Sequence, residues 1–169
     1  MTRSWSKEVT QNHSTAYLAI GKVAVSWAHI EYELELCVSL IYSHCEGKLL
    51  NENCPMNFQR KLKIFRWAFE SEKRLSDLKS DGSKIADAMS SFADYRNQTL
   101  HGTIAFFNRS EVVFDKHEFG GRIPKPSRRT VPVAEIEKNG QEMEDFSFEL
   151  GYFTSQFEEA LRSTTSMST

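Results

Sequence analysis

The segment Tyr95-Arg96-Asn97-Gln98-Thr99-Leu100-His101-Gly102 brings a guanidinium, a carboxamide and an imidazole close together in the chain. On a helical wheel with Ile85 at 0°, Met89, Phe92 and Leu100 define an apolar stripe, and Arg96 falls at about 20°, in its middle. A guanidinium cannot shed its charge, so in that place it needs a carboxylate or a bound anion. Asn97 falls at about 120° and His101 at about 160°, so the amide can orient the imidazole as an i, i+4 neighbour. The set offers a fixed cation, an amide and the side chain type that ordinarily titrates near neutrality. That is equipment for moving a proton beside an anion.

The common alternatives are missing from the sequence. There is no Gly-rich phosphate loop, no HExxH, no GxSxG and no CxxC pair. Cys37, Cys45 and Cys54, with His44, match no usual zinc spacing, so neither a metal nor a cofactor is expected. His29, His44 and His117 read as surface or loop residues. A purely structural role competes for the remaining pair. Arg96 could be locked to Glu31, or failing that Glu35, of the first helix, and His101 could simply favour a helix C-terminus.

The elements that must hold this segment are legible in the periodicity. From Ser14 to about Cys45 one long helix is expected, capped by Ser14 or Thr15. Ile20, Val23, Trp27, Ile30, Leu34, Val38 and Ile41 form its main apolar stripe, and Leu18, Val25, Tyr32 and Leu36 form a second one opposite. A helix apolar on two sides is the centre of a bundle or also meets a second subunit. Pro55 suits the first turn of a second helix capped by Asn53 or Cys54, and Asp81-Gly82 ends that element. Ser83 then caps a third helix, Lys84 to Leu100, stopped by His101-Gly102. TIAFF (103–107) and EVVFDKHEF (111–119) read as a hairpin around Asn108-Arg109-Ser110, followed by a basic loop, 120–130. Arg122, Lys125, Arg128 and Arg129 of that loop are candidate contacts for a nucleic-acid backbone, or else partners of the acidic last helix. That helix, Val133 to Leu161, carries Gly140 and Gly151, which invite a kink. The expected fold class is therefore mainly α, a four-helix bundle with a β-hairpin insert before the last helix. Residues 1–13 read as a flexible arm, 14–162 as a single domain with its insert at 103–130, and 163–169 as a frayed tail.

Composition sets the outer bounds. The chain has 169 residues, and twelve Phe, three Trp and five Tyr supply a core, which excludes a disordered chain. Eight Gly and four Pro exclude collagen-like classes, and three cysteines exclude a small disulfide scaffold. The apolar N-terminal core of a signal peptide and an ~18-residue apolar run are both missing, so a reducing cytoplasmic location is expected. A formal net charge of −2 neither favours nor disfavours nucleic acid as a partner.

Arg96-Asn97-Gln98-Thr99-Leu100-His101, closing a helix of an α-helical domain, resembles the Arg-x4–6-His motif of the HEPN superfamily. Asn97 fits the polar residue that follows the Arg, and Gly102 fits the frequent "RNxxxHG" ending. Trp27-x3-Glu31 is similar to the first helix of such domains. The resemblance covers roughly residues 14–102 and the last helix. It implies a metal-independent endoribonuclease, of the toxin–antitoxin or phage-defence kind, with Arg96, Asn97 and His101 in the active site. RNA brings its own nucleophile, the 2′-hydroxyl, so a proton-transfer group and a cation at the phosphate suffice. The resemblance further implies a homodimer whose two motifs line one cleft, and an antitoxin or regulatory protein as partner. It leaves open a non-catalytic dimerisation or interaction module of the same fold.

Overall fold

The computed structural model describes residues 7–45, 53–118 and 125–163. Among them the chain is mainly helical, with four α-helices and one three-stranded antiparallel sheet. The order is α1 (Lys7–His44), α2 (Phe58–Ser71), a 3₁₀ turn (Lys73–Leu78), α3 (Lys79–Leu100), β1 (Thr103–Phe107), β2 (Glu111–Glu118), β3 (Lys125–Pro132) and α4 (Val133–Arg162). No helix among the described residues is long and apolar enough to cross a membrane.

Several boundaries differ from the sequence reading. α1 begins at Lys7 rather than at a Ser14 or Thr15 cap, so 7–13 is helix rather than flexible arm. Neither Gly nor Pro stands there to stop it, and extending a formed helix costs little. α2 is capped by Asn57, whose Oδ1 accepts from Gln59 N and Arg60 N, rather than by Asn53 or Cys54. Asp81-Gly82 does not end an element. α2 stops at Ser71, and α3 runs through Gly82 from Lys79, which also displaces the Ser83 cap. Gly82 marks a close approach: a Cβ there would collide with the Phe69 ring. α4 is likewise continuous through Gly140 and Gly151. A Cβ at Gly140 would lie 3.4 Å from the Lys22 side chain, and one at Gly151 3.7 Å from Glu33. The tail at 164–169, like residues 1–6, lies outside the described residues.

The chain divides into two compact units, Met1–Trp27 with Ala93–Glu144, and Ala28–Phe92 with Asp145–Thr169. The second unit is built on an aromatic cluster. Phe65 and Phe69 of α2 meet Phe153 and Phe157 of α4 at ring separations of 5.6–6.2 Å. α2 buries Leu62, Ile64, Phe65, Ala68 and Phe69 on one face, and the buried ammonium of Lys61 is taken by Glu35 of α1. Arg74 ties the unit's helix ends together. Its guanidinium donates to the carbonyls of His44 and Leu161, each at 2.7 Å, and to Glu72 Oε2 at 2.6 Å.

The first unit holds the sheet, in the order β1-β2-β3. Asn108 makes the β1–β2 turn: its Oδ1 accepts from Ser110 N at 2.8 Å and Glu111 N at 3.0 Å. The expected hairpin is therefore present, but the basic loop after it is a third strand from Lys125 onward. Val112 faces Val131, Phe114 faces Arg129 and Asp115 faces Arg128. Two prolines and a basic run hid this strand from pattern reading. They are tolerated because β3 is an edge, where one side of the backbone needs no partner. Val112, Phe114 and Val131 are buried, and Tyr17 of α1 meets Phe107 at 5.6 Å.

Candidate functional site

α3 ends at Leu100, and His101-Gly102 form the turn into β1. Gly102 is required there because a Cβ would stand 3.0 Å from the Phe114 Cβ. This seats the turn against the sheet and leaves the His101 side chain exposed. One helical turn back, Thr99 Oγ1 donates to the Tyr95 carbonyl, which stiffens the end of α3. Burial pushes the neighbouring Tyr95 phenol up.

Arg96 is the hub. Its guanidinium carbon stands 5.4 Å from the ring centroid of Trp27, which α1 holds almost fully buried. Its Nη1 donates to Asn97 Oδ1 at 3.0 Å and meets His101 Nε2 at 2.7 Å. The inner edge, Nε, is buried without a hydrogen-bond partner among the described residues. The cation is thus held by an aromatic face behind it and by two neutral acceptors at its rim.

This differs from the sequence reading in two respects. Asn97 does not reach the imidazole directly. It holds Arg96, and Arg96 holds His101. The carboxylate expected opposite Arg96 is also missing: among the described residues its partners are Asn97, His101 and Trp27, and neither Glu31 nor Glu35 is one of them. Glu35 is occupied by Lys61. The physical reason is that the indole face and two oriented acceptors already meet much of the guanidinium's demand. Trp27 is the residue that sequence reading missed in this role. It was visible as an apolar position of α1 and as part of Trp27-x3-Glu31, and nothing local to it points at Arg96.

The basic residues lie elsewhere on the first unit. Arg128 makes a two-pronged contact with Asp115, at 2.7 and 2.8 Å, and Arg129 reaches Gln98 and, at 3.1 Å, Glu135 of α4. Lys125 is exposed, and Arg122 lies outside the described residues. Any phosphate at Arg128 or Arg129 must therefore displace a carboxylate, so pairing with acidic groups, α4 included, prevails over an open basic surface.

The thiols belong to the second unit. Burial pushes Cys37 up to about 12 and Cys45 to about 11, which leaves both as unreactive thiols near neutral pH. Among the described residues no three His, Cys, Asp or Glu side chains cluster as metal ligands would. No family model matches the chain, and no curated protein or solved structure does either.

Proposed function

We propose that this protein is a metal-independent endoribonuclease of HEPN type, with its helices forming a bundle of that kind and Arg96 and His101 as the reacting groups. One observation carries the reading. An exposed imidazole nitrogen lies 2.7 Å from a guanidinium whose partners among the described residues include no carboxylate. A cation left without an anion at the surface suits a phosphodiester, which would supply the missing charge.

The chemistry follows from these groups. An anionic phosphate oxygen is a better acceptor for Arg96 than a neutral ring nitrogen, so substrate binding draws Nη1 off His101 and frees Nε2. Nε2 then takes the proton of the 2′-hydroxyl as the 2′-oxygen bonds to phosphorus. Arg96 stabilises the phosphorane, the P–O5′ bond breaks, and the imidazolium returns its proton to the 5′-oxygen. The products are a 2′,3′-cyclic phosphate and a 5′-hydroxyl. Asn97 and Trp27 position the guanidinium. Two copies of the chain associate, and a neutralising antitoxin or regulatory protein fits a toxin or defence role.

The test is incubation of purified protein with total RNA in EDTA. Cleavage is expected in wild type and not in His101→Ala, since loss of a proton-transfer group typically costs ~10²–10⁴-fold. Cleavage that survives His101→Ala, or that stops on adding EDTA, would sink the mechanism. The competing reading is a non-catalytic dimerisation or interaction module, which the exposed apolar residues of α1 favour; no cleavage of any RNA decides for it.

A further inference from the structure

Gln98 lies near the end of α3 with its side chain exposed, yet that side chain is held in one orientation. Arg129 of β3 donates Nη1 to it, and donates Nη2 at 3.1 Å to Glu135 Oε1 in the first turn of α4. A guanidinium has donors only, so the amide atom that faces Arg129 is the carbonyl oxygen, Oε1. The sheet brings Arg129 to this place. It stands opposite Phe114 in the β2–β3 ladder, and directly opposed residues share one face of a sheet. Phe114 is also the side chain against which Gly102 packs, in the turn that closes α3. Arg129 therefore reaches the same helix end as His101, and Glu135 keeps it there.

We propose that Gln98 reads the base of the nucleotide whose 2′-hydroxyl His101 deprotonates, selecting guanine and uracil over adenine and cytosine. The proposal rests on the ribonuclease reading above. Gln98 and His101 are three positions apart, a spacing that sets helical side chains ~5–6 Å from one another at Cβ. The base is borne on the ribose carbon next to the one that carries the 2′-hydroxyl. A nucleotide with that hydroxyl at His101 Nε2 thus lays its base edge beside Gln98. A free carboxamide can turn to present a donor or an acceptor. With Oε1 taken by Arg129, Gln98 presents only the N–H bonds of Nε2, and nothing among the described residues accepts from them. Guanine O6 and uracil O4 are keto acceptors, whereas adenine N6 and cytosine N4, at the same place on the ring, are amino donors. Nε2 hydrogen-bonds the first pair and meets the second donor to donor, with both groups left unpaired. Single-stranded RNA leaves these base edges open to such reading.

Single-stranded DNA oligonucleotides with a lone ribonucleotide at one fixed position confine cleavage to one 2′-hydroxyl and test this on the full chain. In wild type, kcat/KM at G and U is expected to exceed that at A and C by roughly tenfold. Inosine, which has the 6-keto group of guanine without its 2-amino group, is expected to be cut like G. Gln98→Ala is expected to bring G and U down to the level of A and C, with an unchanged far-UV spectrum. Arg129→Met frees Oε1 to accept, and is expected to raise A and C to within about twofold of G and U. The cyclic-phosphate ends left on total RNA should lie on G and U in wild type and on every base in Gln98→Ala. A wild type that cuts all bases alike overturns the specificity role while the ribonuclease reading stands. So does a Gln98→Ala that slows every base by the same factor and keeps the preference. An Arg129→Met that keeps the full preference overturns the fixing of the amide. If folded wild type cleaves no RNA at all, the ribonuclease reading falls and this role falls with it.

Discussion

Arg96 Nη1 stands 2.7 Å from His101 Nε2, and only one of the two can be the donor. A guanidinium has no acceptor, so Nε2 accepts and the ring proton resides on Nδ1. Long-range ¹H–¹⁵N spectra are expected to show His101 in the Nδ1-protonated form. Arg96→Ala should release that preference without unfolding the chain. A wild-type His101 protonated on Nε2 would refute the arrangement and, with it, the idea that substrate frees this nitrogen.

Trp27 carries Arg96 on its ring face at 5.4 Å. Replacing the indole by the smaller ring of Phe weakens the stack by ~1 kcal/mol. Trp27→Phe should therefore keep its far-UV spectrum and lower kcat/KM on RNA by roughly five- to tenfold, with a larger loss in Trp27→Leu. Equal rates in both folded variants would reduce Trp27 to a core residue.

Arg74 closes the ends of α1 and α4 through the carbonyls of His44 and Leu161. Arg74→Leu leaves both carbonyls and Glu72 Oε2 without the guanidinium and is expected to cost ~2–4 kcal/mol in chemical denaturation. A loss below ~1 kcal/mol would assign these contacts to the solvated surface.

The same contact makes stability depend on pH. Hydrogen bonds from Arg74 hold the Glu72 carboxyl below its ordinary value of 4.5. A carboxyl lowered on folding stabilises the chain above that value and loses its contribution as pH falls through the folded value. The melting-temperature gap between wild type and Glu72→Gln should be open at about pH 6 and narrow at about pH 3. A gap that does not change with pH would deny the charge any part in it.

Gly82 and Gly21 are both helical, but their substitutions should act in opposite directions. A Cβ at Gly82 collides with Phe69, whose ring is wedged among Phe65, Phe153 and Phe157. Gly82→Ala should cost ~1–3 kcal/mol. Gly21→Ala meets nothing among the described residues and should stabilise the monomer by ~0.5–1 kcal/mol. Melting curves at low protein concentration separate the two.

What the sequence determined by itself is local. The 3.6-residue period marked the main stripe of α1, and Val23, Trp27, Ile30, Leu34, Val38 and Ile41 are indeed buried. Asn108-Arg109-Ser110 announced a turn through the hydrogen-bonding reach of one Asn side chain, and His101-Gly102 announced the end of α3. These signals work because a helix period, a cap or a turn is settled among residues a few positions apart. Gly82 was misread because a distant side chain decided the matter: it was shaped by Phe69, not by the need for a break. Arg96 shows the same division. Its place on an apolar stripe marked it as a charge that needed a partner, but not which partner. Glu31, Glu35 and Trp27 all lie on α1 within reach of such a guess. Only the packing of α3 chose the indole, while Lys61 took Glu35. The second stripe of α1 was plain in the sequence, yet only tertiary structure left it exposed, because periodicity defines an apolar face and burial depends on what other elements come to lie on it.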